Sequence, residues 1–476
     1  MKPIIPNFNY NSKRALYLEL YDYIKMSILD GDIQAGEKLP SLRLLSKSLS
    51  LSVTTIELAY NQLLVEGYIY SKPQSGYYVN KISSGMGTVP ANMANIQIKS
   101  LSTLDDIYSN NSETESLNKI KPYHDSSCFD FIKWKKCMNK VLTEYSDLLL
   151  YESDPQGELA LRHEISKYVY QSRGVICTPE QIVIGAGTQQ ITSQLTIILT
   201  KMGIKHVAVE APGYLPVLNI FRDREFAVTP VSVTKKGINI SKLPSNIRSA
   251  VYVNPSNQFP TGYVMPIGKR YEILKWAADN DSIIIEDDYD SELRYFGKPV
   301  PSLQGLDNTE RVVYLGSFSS TLFPSIKISY MVLPPTMAGL FQSVSGGYSQ
   351  TCSKTEQLTL AIYMEKGLYQ TNIKKLRTLY SQKLQSVITA LSKYAKDFIN
   401  PINSSSGINM LINVKSIKTS EILCKEAKEL GIITVPITIY TEELSDSFRT
   451  LVFYYNQIPL NEIDNVIKSL VKKWKN

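Results

Sequence analysis

At 476 residues the chain is too long for one ordinary domain, and two or three are expected. An apolar content of 43% and a mean hydropathy of −0.12 are those of a soluble globular protein, and no apolar run approaches the ~18 residues of a membrane-spanning helix. The net charge of +7 is modest and spread along the chain, so it is compatible with nucleic acid without arguing for it.

The N-terminus (Met1-Lys2-Pro3-Ile4-Ile5-Pro6-Asn7) lacks the apolar core of a signal peptide. Five cysteines (Cys128, Cys137, Cys177, Cys352, Cys424) are scattered without C-x-x-C spacing, which points to a reducing cytoplasm and away from a metal site or disulfide framework. His124, His163 and His206 lie far apart and read as ordinary surface or core residues.

Residues 1–80 read as a small domain. Leu16, Leu20, Ile24 and Ile28 make one stripe on a helix, and Gly31 stops it. Ser41 caps a short second helix carrying Leu42, Leu45 and Leu49. Ser52 caps a third, whose buried side is Ile56, Ala59 or Tyr60, and Leu63. Tyr68-Ile69-Tyr70 and Tyr77-Tyr78-Val79 flank a turn and make a two-stranded wing.

Three helices and a hairpin form a winged helix-turn-helix, whose third helix enters the major groove. The segments G-E-K-L-P-S-L-R-L-L-S, L-S-V-T-T-I-E-L-A-Y-N-Q-L-L-V-E-G-Y-I and S-G-Y-Y-V resemble the GntR-type winged helix. That resemblance implies a double-stranded DNA operator faced by Arg43, Thr54, Thr55, Tyr60 and Lys72. It also implies that Ser41, Ser52 and Gly76 fit backbone to phosphate. Where the family commonly has Arg after the residue at Ser52, this chain has Val53. Residues 1–80 hold eight Lys/Arg and seven Asp/Glu, a net of +1, so the motif and not the charge carries this reading. The competing reading is a helical protein-interaction module.

Residues 81–120 are polar and patternless, as expected of a flexible linker with one short helix near Ile107. Beyond them, short apolar runs alternate with helical patterns: Gln181–Ile184, His206–Val209, Ala250–Val253, Ile283–Ile285, Val312–Leu315 and Tyr330–Leu333. Strands apolar on both faces belong to a mostly parallel sheet covered by helices, an α/β domain over 121–476. Ligands in such sheets sit beyond the carboxyl ends of the strands. There the chain places Gly185-Ala186-Gly187-Thr188-Gln189-Gln190, which reads as a phosphate cradle or as a plain strand-to-helix turn. It also places Tyr214, which can stack on a ring, the segment Asn254–Gly262, and Asp287, which can hold a pyridinium nitrogen protonated.

In this order the features resemble fold-type I pyridoxal phosphate (PLP) aminotransferases, and with the head they follow the plan of the MocR family of regulators. By that likeness Thr188 and Gln189 contact the cofactor phosphate, Tyr214 stacks on the ring, Asn257 meets the ring hydroxyl, Asp287 the ring nitrogen, and Tyr289 lines the pocket. The family's Gly-Ser/Thr-Phe-Ser-Lys reads here Gly316-Ser317-Phe318-Ser319-Ser320, so Ser320 stands where the Schiff-base lysine is expected. A hydroxyl forms no imine with an aldehyde. Lys327 replaces an arginine that clamps the phosphate, and Arg449 is the one arginine near the late substrate-carboxylate position.

Three readings of the serine stand: an engineered change, a site for non-covalent PLP or pyridoxamine phosphate, or a pocket given to another effector or to none. The function implied is a homodimeric, cytoplasmic DNA-binding regulator that senses a small ligand without transamination. The alternative is a PLP aminotransferase with an accessory DNA-binding head.

Overall fold

The computed structural model describes residues 14–82, 129–295, 300–402, 407–441 and 449–475. They belong to two compact units, Met1–Ile107 and Tyr108–Asn476. The expected linker, apart from Lys81 and Ile82, lies outside the described residues.

In the first unit, α1 (Leu16–Leu29) buries Leu20, Tyr21, Ile24 and Ile28 along one stripe. α2 (Leu42–Leu49) begins at Ser41, whose Oγ accepts from Leu44 N at 3.3 Å. α3 (Val53–Val65) begins at Ser52, whose Oγ accepts from Thr55 N at 3.1 Å. Each hydroxyl satisfies an amide that the helix itself leaves unbonded. β1 (Ile69–Lys72) and β2 (Gly76–Val79) form the expected antiparallel wing, with Ile69 opposite Val79. Leu20, Ile24, Leu45, Ile56, Leu63 and Val79 close one core.

The second unit is built on an eight-stranded sheet. From one edge it runs β3 (Ile182–Gly185), β10 (Ser329–Val332), β9 (Val312–Ser317), β8 (Ile283–Asp288), β7 (Ala250–Val253), β4 (His206–Ala211), β5 (Ala227–Thr234) and β6 (Gly237–Ile238). The neighbours from β9 through β5 are parallel; β10 runs antiparallel to both β3 and β9, and β6 antiparallel to β5. The sheet is therefore mixed around a parallel centre.

Alternation along the strands decides which layer each residue joins. Val207, Val209, Tyr252, Ile283, Ile285, Val313 and Leu315 pack under the helices Thr188–Lys201, Leu215–Asp223 and Pro335–Ser345. Ala208, Val251, Ile284 and Val312, one residue out of phase, pack under the helix Ile267–Asp279. With both faces covered, the apolar runs have no polar side to show.

A 27-residue helix, Leu368–Tyr394, starts in the core around Trp134 and Tyr363 through Tyr369 and Ile373 and ends in a separate core through Leu384, Val387 and Leu391. That second core fills the space between the antiparallel sheet β11 (Ile399–Ile402), β12 (Asn409–Val414), β14 (Thr450–Tyr454), β13 (Thr434–Pro436) and the helices Ser420–Glu429 and Ile463–Lys475. Among the described residues no helix is long and apolar enough to cross a membrane.

Candidate functional site

In the winged helix, Arg43 and Thr54 are exposed, at the start of α2 and the start of α3. Thr55 is half-buried, and its Oγ1 lies 2.7 Å from Ser52 Oγ, so both hydroxyls are partly committed to the cap. Val53 is 43% exposed at the first position of the helix. Tyr60 corrects the expectation that it faces DNA: it is fully buried, donates to Pro40 O at 3.0 Å and meets Tyr77 edge-on. Its position four residues after Ile56 places it on the buried stripe of α3.

The wing carries more than the sequence indicated. The Lys72 ammonium lies 4.6 Å from the Tyr78 ring and 5.6 Å from the Tyr70 ring, and these two rings stack at 5.7 Å. Lys38 approaches Tyr78 from the other segment at 6.0 Å. The aromatic faces hold two cations on one small surface, an arrangement suited to phosphate contact. Gly76 takes a φ of 110°, and a Cβ there would stand 3.4 Å from the Lys38 side chain.

In the large unit the predicted residues gather beyond the ends of β3, β4, β8 and β9. Gly187, with φ 89°, turns β3 into the helix that begins at Thr188. A side chain is disfavoured at that φ, and the first amides of the helix, those of Thr188 and Gln189, have no intrahelical acceptor. The Lys327 side chain comes within 3.9 Å of where a Gly187 Cβ would sit. Lys327 is exposed and holds a left-handed backbone (φ 48°), an uncommon conformation for a side-chain-bearing residue. A helix N-terminus with free amides and the aliphatic stem of a lysine thus lie side by side, a setting in which an anion can be held.

Gln189 hydrogen-bonds Tyr214, which ties the cradle to the candidate stacking ring. Asp287, near the end of β8, is almost fully buried. Tyr252 donates to its carboxylate, and Asn254 Nδ2 donates to its backbone oxygen at 2.9 Å. Burial pushes the Asp287 carboxyl up to about 6, although the bonds from Tyr252 and Asn254 pull it down. Glu210 lies behind Asn254, accepting its backbone N–H at 3.0 Å, and burial pushes it up to about 7.

Ser320 is half-buried, and its hydroxyl donates to Tyr289 O at 2.6 Å, joining the segment after β9 to the segment after β8. Gly316 is required upstream because the Tyr330 ring crosses it; a Cβ would meet Tyr330 Cζ at 2.3 Å. Tyr289 and Asn257 come together, Asn257 Nδ2 lying 3.4 Å from the Tyr289 hydroxyl while donating to Asp290 Oδ2 at 2.7 Å. Arg449 sits in the small sheet's approach and donates to Lys418 O at 2.8 Å. Sequence reasoning missed Tyr252 and Glu210. A tyrosine inside the otherwise aliphatic run Ala250–Val253 was the available signal, since a buried hydroxyl needs an acceptor.

The comparisons agree with this architecture. Residues 116–457 match the model for aminotransferase class I and II, and residues 16–79 match that for bacterial regulatory proteins of the gntR family. The chain is 37% identical over 476 residues to the HTH-type transcriptional regulator YdeL of Bacillus subtilis, covering 99% of each chain. It is 28% identical to the probable rhizopine catabolism regulatory protein MocR of Rhizobium meliloti, covering 89% of this chain and 86% of that one. Among solved structures, kynurenine aminotransferase of Pyrococcus horikoshii superposes with a TM-score of 0.66 at 22% identity, over 82% of this chain and 99% of that one. The chain belongs to the HTH-type transcriptional regulators in which a GntR-family winged helix is fused to a class I and II aminotransferase domain.

Proposed function

We propose that this protein is a cytoplasmic, homodimeric regulator that binds an operator through residues 1–80 and senses pyridoxal phosphate, held without a covalent bond, in its aminotransferase-like domain. The observation that supports the reading is a glycine turn into the helix at Thr188 and a buried Asp287, together with a hydroxyl at Ser320. Thr188 and Gln189 amides and the Lys327 charge would take the phosphate. Tyr214 would cover one face of the ring. The Asp287 carboxylate, fixed by Tyr252, would hold a proton on the ring nitrogen. Asn257 would meet the ring hydroxyl, and Tyr289, beside it, would line the pocket.

Bound pyridoxal phosphate supplies an aldehyde and an electron-withdrawing ring. Turnover would further require an amine that bonds to that aldehyde and moves a proton, and Ser320, donating to a carbonyl oxygen, offers none. The cofactor in such a site acts as a ligand. A ligand shifts DNA affinity only by binding one arrangement of the protein better than another. Dimerisation is supported by a run of exposed apolar side chains, Phe131, Ile132, Leu142, Leu148, Leu150 and Tyr151, which a second copy would cover.

DNA binding on the head draws on Arg43, Thr54, Lys72 and the caps at Ser41 and Ser52. Fluorescence anisotropy with DNA from immediately upstream of the chain's own coding sequence tests it at low salt. Saturable binding that Arg43→Ala and Lys72→Ala each weaken is expected. Absence of binding at low salt would refute the regulatory reading.

A further inference from the structure

We propose that the cavity beside Tyr214 is a second small-molecule site, built for a small organic amine with an apolar body. The cavity has a volume of about 190 Å³. A dry protein cavity of about 150 Å³ already accepts benzene, so a branched or aromatic C5–C7 amine fits. Tyr214, Leu218, Tyr252 and Ile439 contribute apolar wall; Glu210 and Arg222 are its charged lining residues. Of the residues assigned above to the cofactor, only Tyr214 reaches it, and neither the cradle nor Ser320 does.

Glu210 carries the argument. It is 4% exposed. Its Oε2 accepts from Asn254 N at 3.0 Å and Gln258 Nε2 at 3.3 Å, while Oε1 accepts from no described residue. Gln258 is in turn fixed by bonds to Pro212 O at 2.8 Å and Phe259 O at 2.6 Å, so it has little freedom to turn toward Oε1. A carboxylate lining a cavity, with one oxygen that accepts from no described residue, can take a donor from an occupant. An ammonium serves it best, because it supplies both the donor and the compensating charge. Burial that pushes this carboxyl up to about 7 would be offset by such a cation. Most of the remaining lining is aromatic or aliphatic, which selects an apolar body and offers ring π-density to a cation.

This inference goes beyond the cofactor reading and stands if that reading fails. The test is isothermal titration of the full chain, freed of any cofactor by dialysis, with isopentylamine and benzylamine. Isopentanol and isovalerate serve as matched probes without the ammonium. Saturable binding of the amines is expected, with the alcohol and the acid each at least about tenfold weaker. Glu210→Gln should weaken amine binding by about tenfold or more. Leu218→Trp, which fills the apolar wall, should abolish it while pyridoxal phosphate titrates as in the unaltered chain. Thermal melts verify folding, and should Glu210→Gln fail to fold, Leu218→Trp decides. Three results would overturn the proposal: no amine binding, which would make the cavity a water pocket; amine binding indifferent to both variants; or Leu218→Trp losing amine and pyridoxal phosphate together, which would make the cavity part of the cofactor site.

Discussion

Replacing Asp287 with asparagine should move two observables in opposite directions. The carboxyl is buried and pushed up to about 6, from an ordinary value near 3.9. A raised folded-state value means the folded protein holds the proton more tightly than the unfolded chain. The associated stability is present at low pH and is lost as pH climbs from about 4 through about 6. At 1.36 kcal/mol per tenfold, the loss approaches about 3 kcal/mol by neutral pH. The carboxamide of the Asp287→Asn variant does not titrate, and its oxygen can still accept from Tyr252. The stability difference, variant minus unaltered chain, should therefore grow by up to about 3 kcal/mol between pH 4 and pH 8 in urea unfolding. Glu286 and Glu292, both raised to about 7 by burial, lower both proteins together over this range and largely cancel in the difference. Cofactor binding should go the other way. Asparagine cannot hold the ring nitrogen protonated, and a hydrogen bond to a charged group contributes about 1.5–3 kcal/mol, so affinity should fall by roughly 10- to 150-fold. A variant that binds pyridoxal phosphate like the unaltered chain would refute the assignment of Asp287 to the ring, and a flat stability difference would refute the electrostatics.

Three further outcomes are expected. Lys327→Ala should weaken pyridoxal phosphate about fivefold, the effect of one exposed cation, with no change in ring-dependent absorbance at saturation. Lys72→Ala should weaken DNA binding across sequences alike and lower the salt slope by about 1, read by anisotropy at several salt concentrations. Tyr60→Phe should cost the head about 1 kcal/mol through the lost bond to Pro40 O and leave DNA affinity unchanged, whereas a loss of affinity in the folded variant would return Tyr60 to the interface.

Much of the fold was legible because burial leaves a periodic mark. All six apolar runs became strands of the central sheet, since a strand covered on both faces must be apolar throughout. β5 left no such mark: Ala227–Thr234 lies near the edge, most of it partly or fully exposed, with Pro230 and three threonine or serine residues. The reversal of β10 is made by the connection over residues 318–328 after β9, which periodicity does not report. In the site, the turn into the helix at Thr188 was readable because glycine before a helix has a conformational meaning, and Gly187 takes the positive φ this implies. Tyr60 was misread because DNA contact and core packing use neighbouring positions on one helix, and only the packing of α1 against α3 decides between them. Glu210 escaped notice because nothing in the residue alone reveals its bond to Asn254, and Tyr252 left only the signal of a hydroxyl in an aliphatic run, which does not name Asp287 as its acceptor.

The most direct test of the account is the absorption spectrum of the purified protein titrated with pyridoxal phosphate, followed by borohydride treatment and mass analysis of the denatured chain. The account predicts saturable binding, a spectrum without the band of a lysine-bound cofactor, and no retained mass after reduction, with the covalent band emerging in Ser320→Lys. A cofactor fixed by borohydride to any lysine of the unaltered chain, or no binding at all, would contradict it.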